Sequence, residues 1–224
     1  MPERRTRLER IGDPNGSWRE KAKSHAFIIG ADECGYGSWA GPLVVCAVAV
    51  PVNWTPPNGL NDSKKLRKAK HEELFYILKT SVTYLAEMAH SDEIDRDGVI
   101  PALKRCYRTV VQGLRERYPD SFIILDGEVS IPEVPHISFP RADGEVPAVM
   151  AASVIGKYLH DRYMLTMAEK YQGYGFADSC GYGTPQHVQA LRKLGPCPIH
   201  RRSYLPIAKI EKVEPDEGIS LDPE

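Results

Sequence analysis

Four acidic residues stand at the ends of short apolar segments, and their types and placement point to metal chemistry. The four are Asp32, Glu33, Asp126 and Asp143. Carboxylates that end neighbouring strands gather at one edge of a sheet, where like charges repel unless cations neutralise them. Oxygen ligands without histidine or cysteine favour Mg²⁺ or Mn²⁺ over zinc, and two such ions can promote phosphodiester cleavage. The residues alone leave a second interpretation open, because Asp-Gly pairs after strands are also common turn formers.

The segments around these residues alternate between strand and helix patterns. Short apolar, β-branched runs predict strands over Ala26–Ala31, Pro42–Val50, Ser81–His90, Ser121–Leu125 and His136–Phe139. The spacing of apolar residues predicts helices over Lys64–Thr80, capped by Asp62 or Ser63, and over Ile100–Tyr118, Val146–Tyr171 and Pro185–Leu194. Strands with helices interposed between them predict one α/β domain with a mixed central sheet.

Composition sets broad limits on the class of protein. The formal net charge of −1 gives no support to nucleic-acid binding by itself, although only the contact face of such a protein must be basic. The five cysteines show no two-residue spacing, so we expect neither a disulfide framework nor a thiolate zinc site. The longest apolar run, Leu43–Val50, is too short to cross a bilayer, so we expect a cytoplasmic protein that does not associate with membranes.

The two ends of the chain differ in character from its middle. Residues 1–24 combine many charged side chains with glycine, proline and asparagine, a pattern that predicts a loosely ordered tail. Residues 209–224 are acidic with few apolar groups, and predict a second tail. We therefore expect the folded domain to span residues 25–208.

Several motifs occur in a set order along this middle part. They are Gly30–Gly35, Ala40–Pro42, Leu60–Leu66, Asp126–Gly127, Ala142–Asp143, Ala151–Lys157, Tyr174–Phe176, Gly181–Thr184 and Ile199–Tyr204. Taken together, from about Phe27 to Pro206, they resemble the type 2 ribonucleases H, the family that contains bacterial ribonuclease HII. The resemblance implies a monomer with a ribonuclease H-like fold. In that fold helices flank a mixed central β-sheet, and a C-terminal helical segment follows.

The resemblance also implies an activity and a set of site residues. It implies an endonuclease that hydrolyses the RNA strand of RNA–DNA hybrids and leaves 3′-hydroxyl and 5′-phosphate ends. Two Mg²⁺ or Mn²⁺ ions would be held by Asp32, Glu33, Asp126 and Asp143. Substrate contacts are implied at Gly35, Tyr36, Gly37, Ser153, Lys157, Tyr182, Arg201 and Arg202. Without the resemblance, Lys157 and Asp161 also fit a surface ion pair, and Tyr182 an ordinary exposed loop residue.

One loop departs from the family's pattern. Enzymes of this kind usually carry Gly-Arg-Gly or Gly-Lys-Gly after the acidic pair, where the loop contacts the ribonucleotide at an RNA–DNA junction. This chain has Gly35-Tyr36-Gly37. A charged hydrogen bond to phosphate, worth roughly 1.5–3 kcal/mol, is lost with the cation unless Tyr36 replaces it by hydrogen bonding or stacking. We therefore expect cleavage of long hybrids and leave open the incision of DNA containing a single ribonucleotide. The alternatives are a two-metal nuclease with a changed substrate preference and a catalytically weak nucleic-acid-binding homologue.

Overall fold

The structure, a computed structural model, describes residues 17–61 and 66–211. Its central sheet is built from the strands β1 Phe27–Cys34, β2 Leu43–Pro51, β3 Thr83–Ala89, β4 Ser121–Asp126 and β5 Ile137–Phe139. Across the sheet the order is β3-β2-β1-β4-β5. The strands β3, β2 and β1 are antiparallel neighbours, whereas β1, β4 and β5 run parallel. The predicted mixed sheet is confirmed.

The helices of the described residues lie between and after these strands. They are α1 Trp18–Ala22, α2 Lys68–Ser81, α3 Ser91–Asp97, α4 Val99–Arg117, α5 Pro147–Lys170, α6 Phe176–Ser179, α7 Pro185–Leu194 and α8 Leu205–Glu211, with a 3-10 turn at Ala142–Gly144. Pro147 begins α5, where its missing N–H costs no hydrogen bond. The side chain of Thr184 caps α7 by accepting a hydrogen bond from the backbone N–H of His187. None of these helices is long and apolar enough to span a bilayer.

Some predicted boundaries were wrong. The strand β1 continues to Cys34, because Val44 of β2 still pairs with that residue, so the first acidic pair lies within the strand. The helix α2 begins at Lys68 with Arg67 before it, and the predicted caps at positions 62 and 63 lie outside the described residues. The bounds of the helices α1, α3, α6 and α8 were not predicted, because elements of four to seven residues are too short to show a periodic pattern. The C-terminal helical segment that the resemblance implied is present as α6, α7 and α8.

The N-terminal boundary of the folded part also differs from the prediction. Within the predicted tail 1–24, residues Trp18 and Ala22 of α1 are 5% and 1% exposed and belong to the apolar cluster beneath α5. The remainder of that tail, residues 1–16, lies outside the described residues, as do residues 212–224 of the predicted acidic tail.

The sheet separates two apolar layers. On one face α4 packs against alternate strand residues such as Ile29, Val45 and Ile123. On the other face α2 and α5 pack against the residues that alternate with them, such as Ile28 and Val48. These layers fix both sides of β1, and therefore the direction in which each of its acidic side chains points.

The C-terminal helices form a third apolar cluster at the end of α5. Met164, Phe176, Leu191 and Ile207 are all buried there. Backbone hydrogen bonds attach this cluster to the loop that follows β1. The N–H of Trp39 donates to the carbonyl of residue 181 at 2.8 Å, and the N–H of residue 41 donates to the carbonyl of residue 199 at 2.9 Å. The packing thus brings three motifs that are distant in sequence to one place.

Candidate metal centre

The four acidic residues come together at the carboxyl ends of β1 and β4. These two strands are parallel neighbours, and Ala31 pairs with Leu125. Asp32 and Asp126, the next residues of the two strands, therefore lie next to each other. Asp143 lies in the 3-10 turn before α5, and its backbone N–H donates to Oδ1 of Asp126 at 3.3 Å. Strand pairing and one turn therefore bring together carboxylates that are up to 111 positions apart in sequence (143 − 32).

The charges of this cluster act on one another. Burial raises the pKa of Asp32 well above its ordinary range, and the carboxylates of Glu33, Asp126 and Asp143 raise it further. A hydrogen bond from the Ser153 hydroxyl opposes this rise. Asp32 and Asp143 are only 6% and 3% exposed, so water screens their repulsion poorly. The cluster carries an electrostatic cost that a cation would relieve.

The acidic pair on β1 points to opposite faces of the sheet, because successive residues of a strand alternate. Asp32 faces α5. Glu33 faces α4, where the fully buried Tyr107 donates its hydroxyl to Oε2 of Glu33 at 2.6 Å. In the sequence, Tyr107 is one residue of the helical pattern predicted over Ile100–Tyr118. A tyrosine on the apolar face of a helix was the one available sign of this contact, because the hydroxyl of a buried tyrosine needs a hydrogen-bond partner.

The types of residue in this cluster suit a divalent cation, although their side chains are not arranged as a complete coordination site. In the part of the chain that the structure describes, no three His, Cys, Asp or Glu side chains are already set as a metal site. Carboxylate oxygens accept hydrogen bonds from protein donors instead, as Glu33 does from Tyr107 and Asp32 from Ser153. The donor set consists of oxygens alone and carries excess negative charge, which suits Mg²⁺ or Mn²⁺. Asp32, Glu33, Asp126 and Asp143 are the residues that could hold such ions.

Arg201 holds the loop that follows β1. Its guanidinium, fully buried at 0% exposure, donates to the carbonyls of Gly35 at 2.7 Å, Tyr36 at 2.9 Å and Gly41 at 3.1 Å. The hydroxyl of Tyr204 donates to the Tyr36 carbonyl at 2.8 Å as well. These bonds correct the predicted role of Arg201, because a guanidinium enclosed by backbone carbonyls positions the loop and does not face a phosphate in solvent. Arg202 is exposed, which is compatible with its predicted contact.

A buried pair of histidines positions the second loop of the site. Tyr182 is 39% exposed, and its carbonyl lies 2.9 Å from Nδ1 of His187. Nε2 of His187 lies 3.0 Å from Nε2 of His200, whose Nδ1 accepts a hydrogen bond from the N–H of Cys197. One proton arrangement satisfies this chain: His200 donates through Nε2, and His187 donates through Nδ1 to Tyr182.

Both histidines are neutral for a physical reason. Burial lowers the pKa of His187, and burial together with the neighbouring His187 lowers the pKa of His200 to about 4. The lowered pKa values keep this histidine pair uncharged at neutral pH. In the sequence His200 stands only beside Arg201 and Arg202 in a basic group, and nothing there indicates that it meets His187.

The helix α5 carries the remaining predicted contacts. Ser153 is 5% exposed and bonded to Asp32, so it supports a carboxylate, and its predicted contact with a phosphate is corrected. Nζ of Lys157 lies 2.7 Å from Oδ1 of Asp161, which gives the ion pair that spacing alone allowed. Both side chains of that pair are about one-third exposed, at 31% and 33%, so Lys157 can still reach a ligand.

Comparison with known proteins identifies the family of the chain. The sequence model of the family described as ribonuclease HII matches residues 29–206. The chain is 37% identical to ribonuclease HII of Lactobacillus gasseri over 83% of this chain and 74% of the relative, and 41% identical to that of Rhodococcus opacus over 82% and 81%.

Solved structures of related proteins show the same fold. The ribonuclease H2 of Pyrococcus horikoshii matches with a TM-score of 0.67 and 25% identity, over 83% of this chain and 97% of that one. The ribonuclease HII in a PCNA complex from Archaeoglobus fulgidus also has a TM-score of 0.67, over 80% and 95%, and at 24% identity it supports the fold alone. The chain therefore belongs to the ribonuclease HII family and is a ribonuclease H.

Proposed function

We propose that this enzyme hydrolyses the RNA strand of RNA–DNA hybrids, with Asp32, Glu33, Asp126 and Asp143 holding two divalent ions. The observation that carries the proposal is the convergence of these carboxylates where β1 and β4 end. When bound, Mg²⁺ or Mn²⁺ supplies Lewis acidity that activates water and stabilises charge on phosphate oxygens. The products would be 3′-hydroxyl and 5′-phosphate ends.

The protein's own groups prepare this chemistry by holding the carboxylates. Tyr107 fixes one oxygen of Glu33, and Ser153 donates to Asp32, so neither acidic side chain of β1 is left to rotate freely. Such outer partners commonly change metal affinity about 10- to 100-fold when they are removed. In this proposal Tyr107 and Ser153 are positioning residues, and the four carboxylates are the ligands.

Two loops would position the nucleic acid beside the carboxylates. Arg201 fixes the backbone of Gly35 and Tyr36, whose neighbouring groups can sense a ribose 2′-hydroxyl. Tyr182, which is 39% exposed, would pack on a sugar, and Lys157 and Arg202 would contact the sugar–phosphate backbone of the nucleic acid. The contacts of Gly35, Tyr36, Gly37, Tyr182, Lys157 and Arg202 stay predictions.

Substitution of Asp126 tests the function. Asp126→Asn removes one charge from the cluster with almost no change in shape, and we expect it to abolish cutting of an end-labelled hybrid while duplex binding persists. Asp178→Asn is the matched control, because Asp178 is an exposed carboxylate on α6. Continued cutting by Asp126→Asn at the wild-type rate would refute the site.

A panel of substrates distinguishes the proposed enzyme from two alternatives. A two-metal nuclease with a changed preference would cut plain DNA duplex or structured RNA in a panel where the hybrid stays intact. A homologue that only binds nucleic acid would retain the hybrid and cut nothing in Mg²⁺ or Mn²⁺. The ordered run of motifs favours the hybrid over other substrates, and the presence of all four carboxylates favours an enzyme over a protein that only binds. The monomeric state and cytoplasmic location stay predictions.

A further inference from the structure

A recess beside the metal centre is walled in part by residues of α4 that have no role in the proposed chemistry. Its volume is about 260 Å³. It is lined by Glu33 and Tyr36 on one side, by Ile100, Leu103 and Lys104 of α4 on another, and by Gly127, Glu128 and Val129 after β4. Among these residues, Tyr36 and Ile100 are 42% and 54% exposed. Large apolar groups that stay exposed on two sides of a cleft are typical of a binding site.

The position of Lys104 follows from the helix that carries it. Lys104 lies three residues before Tyr107, the donor to Glu33, and residues at this spacing are neighbours on a helix surface. Ile100 lies one turn before Lys104 on the same side. Lys104 is therefore carried on the α4 wall of a recess that Glu33, a candidate metal ligand, also lines.

Lys104 is not committed to an ion pair. Within residues 17–61 and 66–211 no carboxylate is paired with it, although Glu128 lines the same recess. The next residue, Arg105, is held by Glu87 at 2.7 Å and by Glu93 at 2.5 Å. A cation that has an acidic neighbour and remains available can bind an anion that enters the recess.

We propose, as a consequence that rests on the proposed function, that this recess is a nucleotide subsite in which Lys104 contacts the phosphodiester backbone. Tyr36 and Ile100 form apolar walls suited to a sugar or base, since aromatic rings stack on nucleotides of any sequence. Lys104 then supplies, from α4, the positive charge that position 36 lacks. Contacts of this kind position the strand and read no sequence.

Salt-dependent binding tests the subsite without depending on cutting. In an Asp126→Asn background, fluorescence anisotropy gives the affinity for a labelled hybrid and for a duplex with one embedded ribonucleotide between 50 and 200 mM salt. Lys104→Gln should weaken binding about three- to tenfold, and reduce the slope of log affinity against log salt by about one, the value for one lost phosphate contact. Lys104→Arg should restore both quantities.

Lys79→Gln is the matched control. Lys79 is an exposed lysine near the end of α2, which leads into the start of β3, and that end of the sheet is opposite to Asp32. It should leave affinity and slope unchanged. Wild-type affinity and slope in Lys104→Gln would overturn the subsite while leaving the proposed function intact. The separate failure of the wild-type enzyme to cut any hybrid would overturn the proposed function, and the binding data would still decide the role of Lys104.

Discussion

The substitution Arg201→Lys should destabilise the protein strongly although it keeps the charge. The guanidinium of Arg201 makes four hydrogen bonds, to the carbonyls of Gly35, Tyr36 and Gly41 and to the hydroxyl of Tyr204. An ammonium group is a single point and cannot reproduce a planar fork that reaches three carbonyls. The variant would therefore bury a charge together with acceptors that have lost their donors.

The expected loss can be estimated from these contacts. Hydrogen bonds to a charged group contribute roughly 1.5–3 kcal/mol each, but bonds that share one donor group are not additive. Breaking a buried charged network by removing one partner costs about 3–5 kcal/mol. For a chain of this size each kcal/mol lowers Tm by about 2–4 °C, so we expect Tm to fall by about 6–20 °C.

Thermal and urea unfolding followed by circular dichroism would measure this change. Arg192→Lys on α7 is the matched control, because that side chain is exposed and should alter the free energy of unfolding by less than about 0.5 kcal/mol. If Arg201→Lys unfolds at the same temperature as Arg192→Lys, the buried guanidinium does not hold the loop, and the positioning role is refuted.

Three further substitutions test separate parts of the structure. Tyr107→Phe removes the donor to Glu33 and should weaken Mn²⁺ binding about 10- to 100-fold by calorimetry; unchanged affinity would contradict the positioning role. Burial lowers the pKa of His200 from 6.5 to about 4, so the unfolded chain takes up that proton first as pH falls. The wild type should therefore lose roughly 3 kcal/mol of stability between about pH 6.5 and 4, and urea titrations of His200→Gln should show a smaller loss. Identical pH profiles of stability for the two proteins would contradict this role of His200. Gly30→Ala should lower the free energy of unfolding by about 3 kcal/mol, because its β-carbon would overlap the backbone of Ala148, and an unchanged Tm would exclude that contact.

The long elements were predictable because their apolar patterns extend over several turns or strand residues. The helix Pro185–Leu194 was found with both ends correct, since Thr184 and Pro185 mark its start and Gly195 its end. The start of α2 was missed because Asp62 and Ser63 look like caps in sequence, while the helix begins at Lys68. A cap can be recognised only when the first turn that it serves is known.

The carboxylates were predictable for a different reason. The apolar runs of the strands are visible in the sequence although their exact ends are not, so Asp32 and Asp126 could be placed near one sheet edge before their pairing was known. The residues that hold Glu33 and the following loop in place could not be predicted. Tyr107 reaches Glu33 from 74 residues away, and Arg201 reaches Gly35 from 166 residues away. Such contacts depend on how helices dock on the sheet, which no local pattern encodes. For the same reason the sequence gives no sign that Arg201, for which the resemblance implies a substrate contact, is enclosed by backbone carbonyls.

Calorimetric titration with Mn²⁺ tests the central claim most directly. The wild-type chain should bind two ions, and Asp32→Asn and Asp126→Asn should each lose at least one of them, because each removes a ligand from the cluster where β1 and β4 end. Asp178→Asn should bind as the wild type does. Mn²⁺ binding that is absent in the wild type, or equal in all four proteins, would contradict the claim that these carboxylates hold the metal.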